Sequence, residues 1–188
     1  DLRSAQKMYL LDWSVDTLYR PKLLSYYRGS PGDTSMVYME PVFFNAETGK
    51  EIKMGLPRST HINSIGIQWS ENPDLVFLNN STRGYKNLNL YTFDLKKEKL
   101  EVLYSERSET NIDNFSSKFV EKSNLMFFLS EKSGWQQLYR LDLKSKKVEP
   151  LTKGEYYINS IERIDEENQR IFFMASGKET GRNPYYQH

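Results

Sequence analysis

The chain has 188 residues, about one domain's worth, and its 26 Lys and Arg stand against 25 Asp and Glu for a formal charge of +1. That balance argues against a protein whose main partner is nucleic acid or an anionic membrane surface, since both call for a basic excess. The absence of Cys excludes disulfide frameworks, thiolate metal sites and Cys nucleophiles, while aromatics at 14% argue for a folded chain.

From the N-terminus, the first unit is irregular and covers 1–59, ending in Phe44-Asn45-Ala46-Glu47-Thr48-Gly49-Lys50, which reads as strand, polar turn, strand. Leu75-Val76-Phe77-Leu78 is a short apolar run expected to be a strand buried on both faces, and Asn87 to Phe93 alternates with the period of a half-buried strand. Lys99 to Tyr104 closes this unit, and the same order then repeats. Leu125-Met126-Phe127-Phe128-Leu129 is the apolar run, Gln137 to Leu143 the alternating strand and Val148 to Leu151 the closing one. A last apolar run, Ile171-Phe172-Phe173-Met174, again predicts a strand buried on both faces. None of these runs approaches the roughly 20 apolar residues of a membrane helix. No stretch carries a sustained 3.6-residue apolar period.

Repetition sets the architecture. Ile62-Asn63-Ser64-Ile65 returns as Ile158-Asn159-Ser160-Ile161, and Thr110-Asn111-Ile112-Asp113 lies halfway, so Asn63, Asn111 and Asn159 recur every 48 residues. Asn45, Asp94 and Asp142 recur at spacings of 49 and 48 at the start of equivalent turns. Four strands in a little under 50 residues is the pattern of a β-propeller blade. The fold is therefore expected to be all-β, a partial β-propeller of about three to four four-stranded antiparallel blades. The units are an irregular blade at 1–59, blades at about 60–107 and 108–154, and an incomplete blade at 155–188 that stops near Tyr185-Tyr186-Gln187-His188. Propellers close rings of four to eight blades, so the sequence is expected to be a fragment of a larger one. It opens at Asp1 with no leader pattern, so any targeting segment is expected to lie outside it.

Several groups invite a chemical reading. His61 is the one internal His, and its setting, Arg58-Ser59-Thr60-His61, reads as a loop leading into a blade. Asp165-Glu166-Glu167 lies between Ile164 and Ile171 and reads as a hairpin turn, not a cation site. Lys96-Lys97-Glu98-Lys99 and Lys144-Ser145-Lys146-Lys147 read as solvated outer hairpins. Arg83-Gly84-Tyr85 and Ser133-Gly134-Trp135 occupy matching loops, where aromatics stack on a ligand or, as the better reading, pack between blades. Asn79-Asn80-Ser81-Thr82 and Asn114-Phe115-Ser116 match the glycosylation acceptor pattern and are given no role. No G-x-S-x-G elbow occurs, and no catalytic residue, cofactor or metal ligand is assigned.

Arg20-Pro21-Lys22-Leu23-Leu24-Ser25-Tyr26-Tyr27, Pro31-Gly32-Asp33 and Pro41 to Lys50, followed in order by Ile67-Gln68-Trp69-Ser70, Ser130-Glu131-Lys132-Ser133-Gly134-Trp135-Gln136-Gln137-Leu138-Tyr139, Leu151-Thr152-Lys153-Gly154 and Ile164-Asp165-Glu166-Glu167-Asn168, resemble the propeller region of dipeptidyl peptidase IV-like serine peptidases of the prolyl oligopeptidase superfamily. The resemblance implies a parent exopeptidase that removes N-terminal dipeptides, with the triad on a C-terminal α/β-hydrolase domain and the propeller gating and positioning the peptide substrate. The family's amine-gripping glutamate pair is expected before Asp1. The family also places a substrate-contacting aromatic or Arg near the stretch Asn111-Ile112-Asp113, where this sequence has neither. The implied setting is periplasmic, cell-surface or secreted, and the bare faces at the ends are expected to associate with another copy. The rival reading is a stand-alone ligand- or protein-binding propeller of TolB-like or lectin-like type.

Overall fold

The computed structural model describes residues 6–14, 19–29, 32, 37–60, 65–112 and 115–178, and among these every regular element is a strand. β1 (Lys7–Asp12) and β2 (Lys22–Tyr27) form an antiparallel hairpin. β3 (Tyr38–Met39) pairs with β6 (Ser59–Thr60), and β4 (Val42–Phe44) pairs with β5 (Glu51–Lys53). Two complete four-stranded meanders follow. The first is β7 (Ile65–Trp69), β8 (Leu75–Ser81), β9 (Asn87–Asp94) and β10 (Lys99–Arg107). The second is β11 (Ser117–Val120), β12 (Leu125–Ser130), β13 (Gln137–Asp142) and β14 (Val148–Pro150). β15 (Tyr157–Asp165) and β16 (Arg170–Ser176) then pair as two strands.

The two-residue period of each strand sends successive side chains to opposite faces, and in the complete blades both faces meet a neighbour. On β8, Val76 and Leu78 turn back with Tyr91 and Phe93 of β9 onto Met54, Leu56, Phe43 and Ile52. Phe77 and Leu90 turn forward onto Met126, Phe128, Tyr139 and Leu141 of the second blade. The opposite residues of that blade, Val120, Phe127, Leu129 and Leu138, face Ile158, Ile161 and Ala175 of the third sheet. This is the stacking that lets runs as apolar as Leu125 to Leu129 exist in a chain with only 38% hydrophobic residues.

Ile171 to Met174 departs from expectation. Ile171 and Phe173 pack on the second blade, but Phe172 is 49% exposed, because the two-stranded β15–β16 sheet has one face covered among the described residues. β10 also runs further than expected, to Arg107, and carries a bulge between Val102 and Tyr104 at which Leu103 tucks inward.

One turn design recurs. Asn45, Asp94, Asp142 and Asp165 each accept a backbone N–H three residues on, from Thr48, Lys97, Ser145 and Asn168, at 2.8 to 3.1 Å. The next residue takes a left-handed conformation: Gly49 (φ 68°), Glu98 (51°), Lys146 (59°) and Gln169 (54°). Only glycine adopts that region without a Cβ penalty. Gln169→Gly is therefore expected to stabilise the chain by about 0.5 to 1 kcal/mol after the added unfolded-state entropy of glycine is counted. A urea midpoint that falls instead would show that the Gln169 side chain does more than occupy the turn.

Candidate functional site

Of the residues singled out from sequence, His61, Asn63, Asp113 and Asn114 lie outside the described residues. Asn111 sits in the connector before β11 and Asn159 within β15. Asp165 is committed to its own turn, accepting the Asn168 N–H at 3.1 Å and the Asn168 amide at 2.9 Å. The Asn168 side chain, then its N–H, holds the Asp165 carboxyl below the usual range. The lysine hairpins are paired with acids: Lys97 with Asp94 at 2.8 Å, Lys146 with Glu101 at 2.9 Å and Lys147 with Glu149 at 2.5 Å. Among the described residues no three His, Asp or Glu converge as a metal site.

The glycosylation pattern at Asn79 and Asn80 falls on β8. Asn80 is buried and donates to the Pro57 carbonyl at 3.0 Å, and Asn79 donates to the Ser117 hydroxyl at 3.2 Å. Both amides are thus structural. The loop aromatics divide: the Tyr85 carbonyl accepts the Ile112 N–H at 2.7 Å, which ties the β8–β9 loop to the blade connector, whereas Trp135 is 46% exposed and joins none of the three cores. Interblade packing, the expected reading, does not describe Trp135.

The polar chemistry gathers instead at the seam between the complete blades. A cavity of about 280 Å³ there is lined by Gly66, Gln68, Phe77, Asn79, Ser117, Lys118 and Met126, among others. Gly66 makes room for the Asn79 amide beside it, since a Cβ at that position would lie 2.4 Å from the Asn79 Nδ2. The Gln68 side-chain amide imitates a strand neighbour, donating to the Phe119 carbonyl at 3.0 Å and accepting the Phe119 N–H at 2.9 Å. Glu121 reaches back to the β7–β8 turn, where its carboxylate accepts the Ser70 hydroxyl and the Glu71 N–H, each at 2.6 Å, and the Asn72 N–H at 3.3 Å. The Ser70 hydroxyl, followed by the Glu71 N–H, lowers the Glu121 carboxyl pKa, so this contact is complete at neutral pH and is lost only as pH falls through that lowered value.

A second group crosses the seam near the end of β10. Glu106 accepts hydroxyls from Ser130 at 2.6 Å and Tyr104 at 2.9 Å. The Lys132 ammonium lies 4.1 Å from the Tyr139 ring centre, 5.3 Å from Tyr104 and 5.9 Å from Phe128. Burial against these rings pushes Lys132 down and Glu106 pushes it up, while burial is the first of the causes that raise Tyr104. None of Gln68, Glu121, Glu106 or Lys132 stood out in the sequence as a seam residue. The signal that was there is register: Gln68 and Phe119 lie 51 residues apart, close to one repeat.

These groups join the two blades, with two carboxylates each holding a serine hydroxyl across the seam, Ser70 on Glu121 and Ser130 on Glu106. Against known proteins, the family described as "Dipeptidyl peptidase IV (DPP IV) N-terminal region" matches residues 20–188. A probable dipeptidyl peptidase 4 of Aspergillus flavus is 30% identical over 84 residues, covering 40% of this chain and 11% of that protein. Among solved structures, dipeptidyl peptidase 4 of Porphyromonas gingivalis superposes with a TM-score of 0.68 at 16% identity, covering 92% of this chain and 24% of its own. TolB of Acinetobacter baumannii superposes with a TM-score of 0.50 at 14% identity, covering 89% of this chain and 34% of its own. At these identities the two structures speak for the fold, and the chain spans a quarter or less of the two peptidase relatives. The chain belongs to the dipeptidyl peptidase IV N-terminal region family, as a partial β-propeller built on four-stranded antiparallel blades.

Proposed function

We propose that this chain is the gating and positioning propeller of a dipeptidyl peptidase IV-like serine exopeptidase, acting on peptide substrates whose cleavage takes place on an α/β-hydrolase domain elsewhere in the full-length protein. The observation that carries the reading is the family match across residues 20–188. Physically, a rigid propeller wall excludes folded proteins and orients a peptide terminus, so that binding energy is spent on placing the scissile bond near a distant Ser. The same reading places the full-length protein in the periplasm, at the cell surface or outside the cell, which fractionation tests directly.

The purified 188-residue chain is accordingly expected to release no chromophore from a Gly-Pro or Ala-Pro amide, whereas the full-length protein does so and loses the activity to a serine-directed inhibitor. Turnover by the purified chain that the same inhibitor blocks would contradict the assignment. A full-length protein that binds a protein or glycan but cleaves neither amide would favour the stand-alone binding propeller, with which the TolB-like fold is compatible.

A further inference from the structure

The seam between the complete blades is stapled along its length. Alternate residues of β11 and its following turn each meet a group from the blade before: Ser117 meets Asn79, Phe119 meets Gln68 through two hydrogen bonds, and Glu121 meets Ser70, Glu71 and Asn72. β7 and β11 are the first strands of their blades, the ones that surround the axis in a propeller. Further out, Glu106 accepts Ser130, Lys132 of the second blade lies over Tyr104 of the first, and Lys146 pairs with Glu101 at 2.9 Å. Phe77 stacks on Phe119 with centroids 3.6 Å apart, and the apolar core of Leu90, Leu103, Met126, Phe128, Tyr139 and Leu141 fills the space between. To part the blades, this core would have to be exposed while all of these polar contacts break together, leaving Gln68 and the Phe119 peptide unpaired until water reaches them.

We propose that the two complete blades move as one rigid wall, and that their shared seam stays closed when the propeller admits or releases a ligand. The rigidity stands on the seam alone. The consequence for ligand passage rests on the gating reading above, and directs any widening of the propeller to other seams.

Hydrogen exchange on the 188-residue chain, with no peptide present, tests the rigid wall independently of gating. The N–H groups of Phe119 and Glu71 are satisfied across the seam, by side chains of the other blade, whereas that of Asn72 also reaches the Ser70 hydroxyl of its own blade at 3.0 Å. Those of Thr48 and Ser145 have similar side-chain acceptors, but within their own turns. The seam amides of Phe119 and Glu71 are expected to exchange at least tenfold more slowly than the two turn amides, because their release requires blade separation rather than local fraying. Gln68→Ala is expected to speed exchange at Phe119 at least tenfold, with the central amides of β8 and β9 unchanged. Glu121→Ala should do the same at Glu71. Seam amides that exchange as fast as Thr48 and Ser145 in the unsubstituted chain would overturn the proposal, whatever the variants do. So would a folded Gln68→Ala variant with Phe119 still protected.

Discussion

Replacing Phe128 by alanine is expected to lower the unfolding free energy by about 3 to 5 kcal/mol, the range for removing a fully buried aromatic side chain. Phe128 has no exposed surface, and its ring lies 4.8 Å from Tyr104, 5.7 Å from Tyr139 and 6.3 Å from Phe115, centre to centre. It is therefore the point at which β10, the start of the second blade and β13 converge. Truncation removes the transfer free energy of the ring and leaves a cavity that the blade cannot easily close, because β12, which carries Phe128, and its neighbour β13 are each fixed by ladders on both sides. Against a net stability of about 5 to 15 kcal/mol for an ordinary domain, the loss is expected to appear in urea as a large fall of the midpoint or as a vanished cooperative transition. Phe172, half exposed on the neighbouring sheet, supplies the comparison, and its alanine variant is expected to cost under about 1 kcal/mol. Equal losses at the two positions would mean that the forward face of the first blade does not pack on the second as described.

The contrast between these two phenylalanines marks what could be read from the sequence. Ile171-Phe172-Phe173-Met174 and Leu125-Met126-Phe127-Phe128-Leu129 look alike as apolar runs, and both form strands. What separates them is the number of covered faces, a property of neighbouring sheets and not of the run. The turns were legible because their chemistry is local: an Asx side chain that caps an N–H three residues on leaves its mark in the sequence at Asn45, Asp94 and Asp142. The blades were legible because that mark recurs. The seam contacts were not. Gln68 and Glu121 are unremarkable polar residues until strands 51 residues apart are laid side by side, and the aromatic surroundings of Lys132 come from β10, β12 and β13 together. Lys146, read as part of a solvated hairpin, turned out to reach Glu101 of the other blade for the same reason.

The chain in isolation is expected to self-associate at micromolar concentration, and to do so through the β1–β2 hairpin rather than through the edge at Ile171 to Ala175. Ala175 is buried and Ile171 half-buried, so that edge exposes little apolar surface beyond Phe172. On the hairpin, Tyr9, Leu11, Leu23 and Tyr27 share one face, with Leu11 opposite Leu23, and each is more than half exposed. β1 and β2 pair only with each other in the described sheets, and a two-stranded hairpin alone is marginal in water. A dissociation constant of 1 μM needs about 8 kcal/mol net. At about 25 cal/mol per Å² that is roughly 300 Å² of apolar surface, and about twice as much once the cost of association is met. Four such side chains offer on the order of 500 Å² per copy, since an aromatic side chain alone can bury 150 to 250 Å². Two copies therefore exceed the requirement. Light scattering is expected to give a mass above the 22.2 kDa of one chain, and Leu11→Lys combined with Leu23→Glu should return it to that value by placing opposite charges side by side on the face. A single-chain mass for the unsubstituted protein at tens of micromolar would show that this face is too small or too mobile to hold a partner. An undiminished mass for the double variant would move the contact to another surface, with Phe172 the next to test.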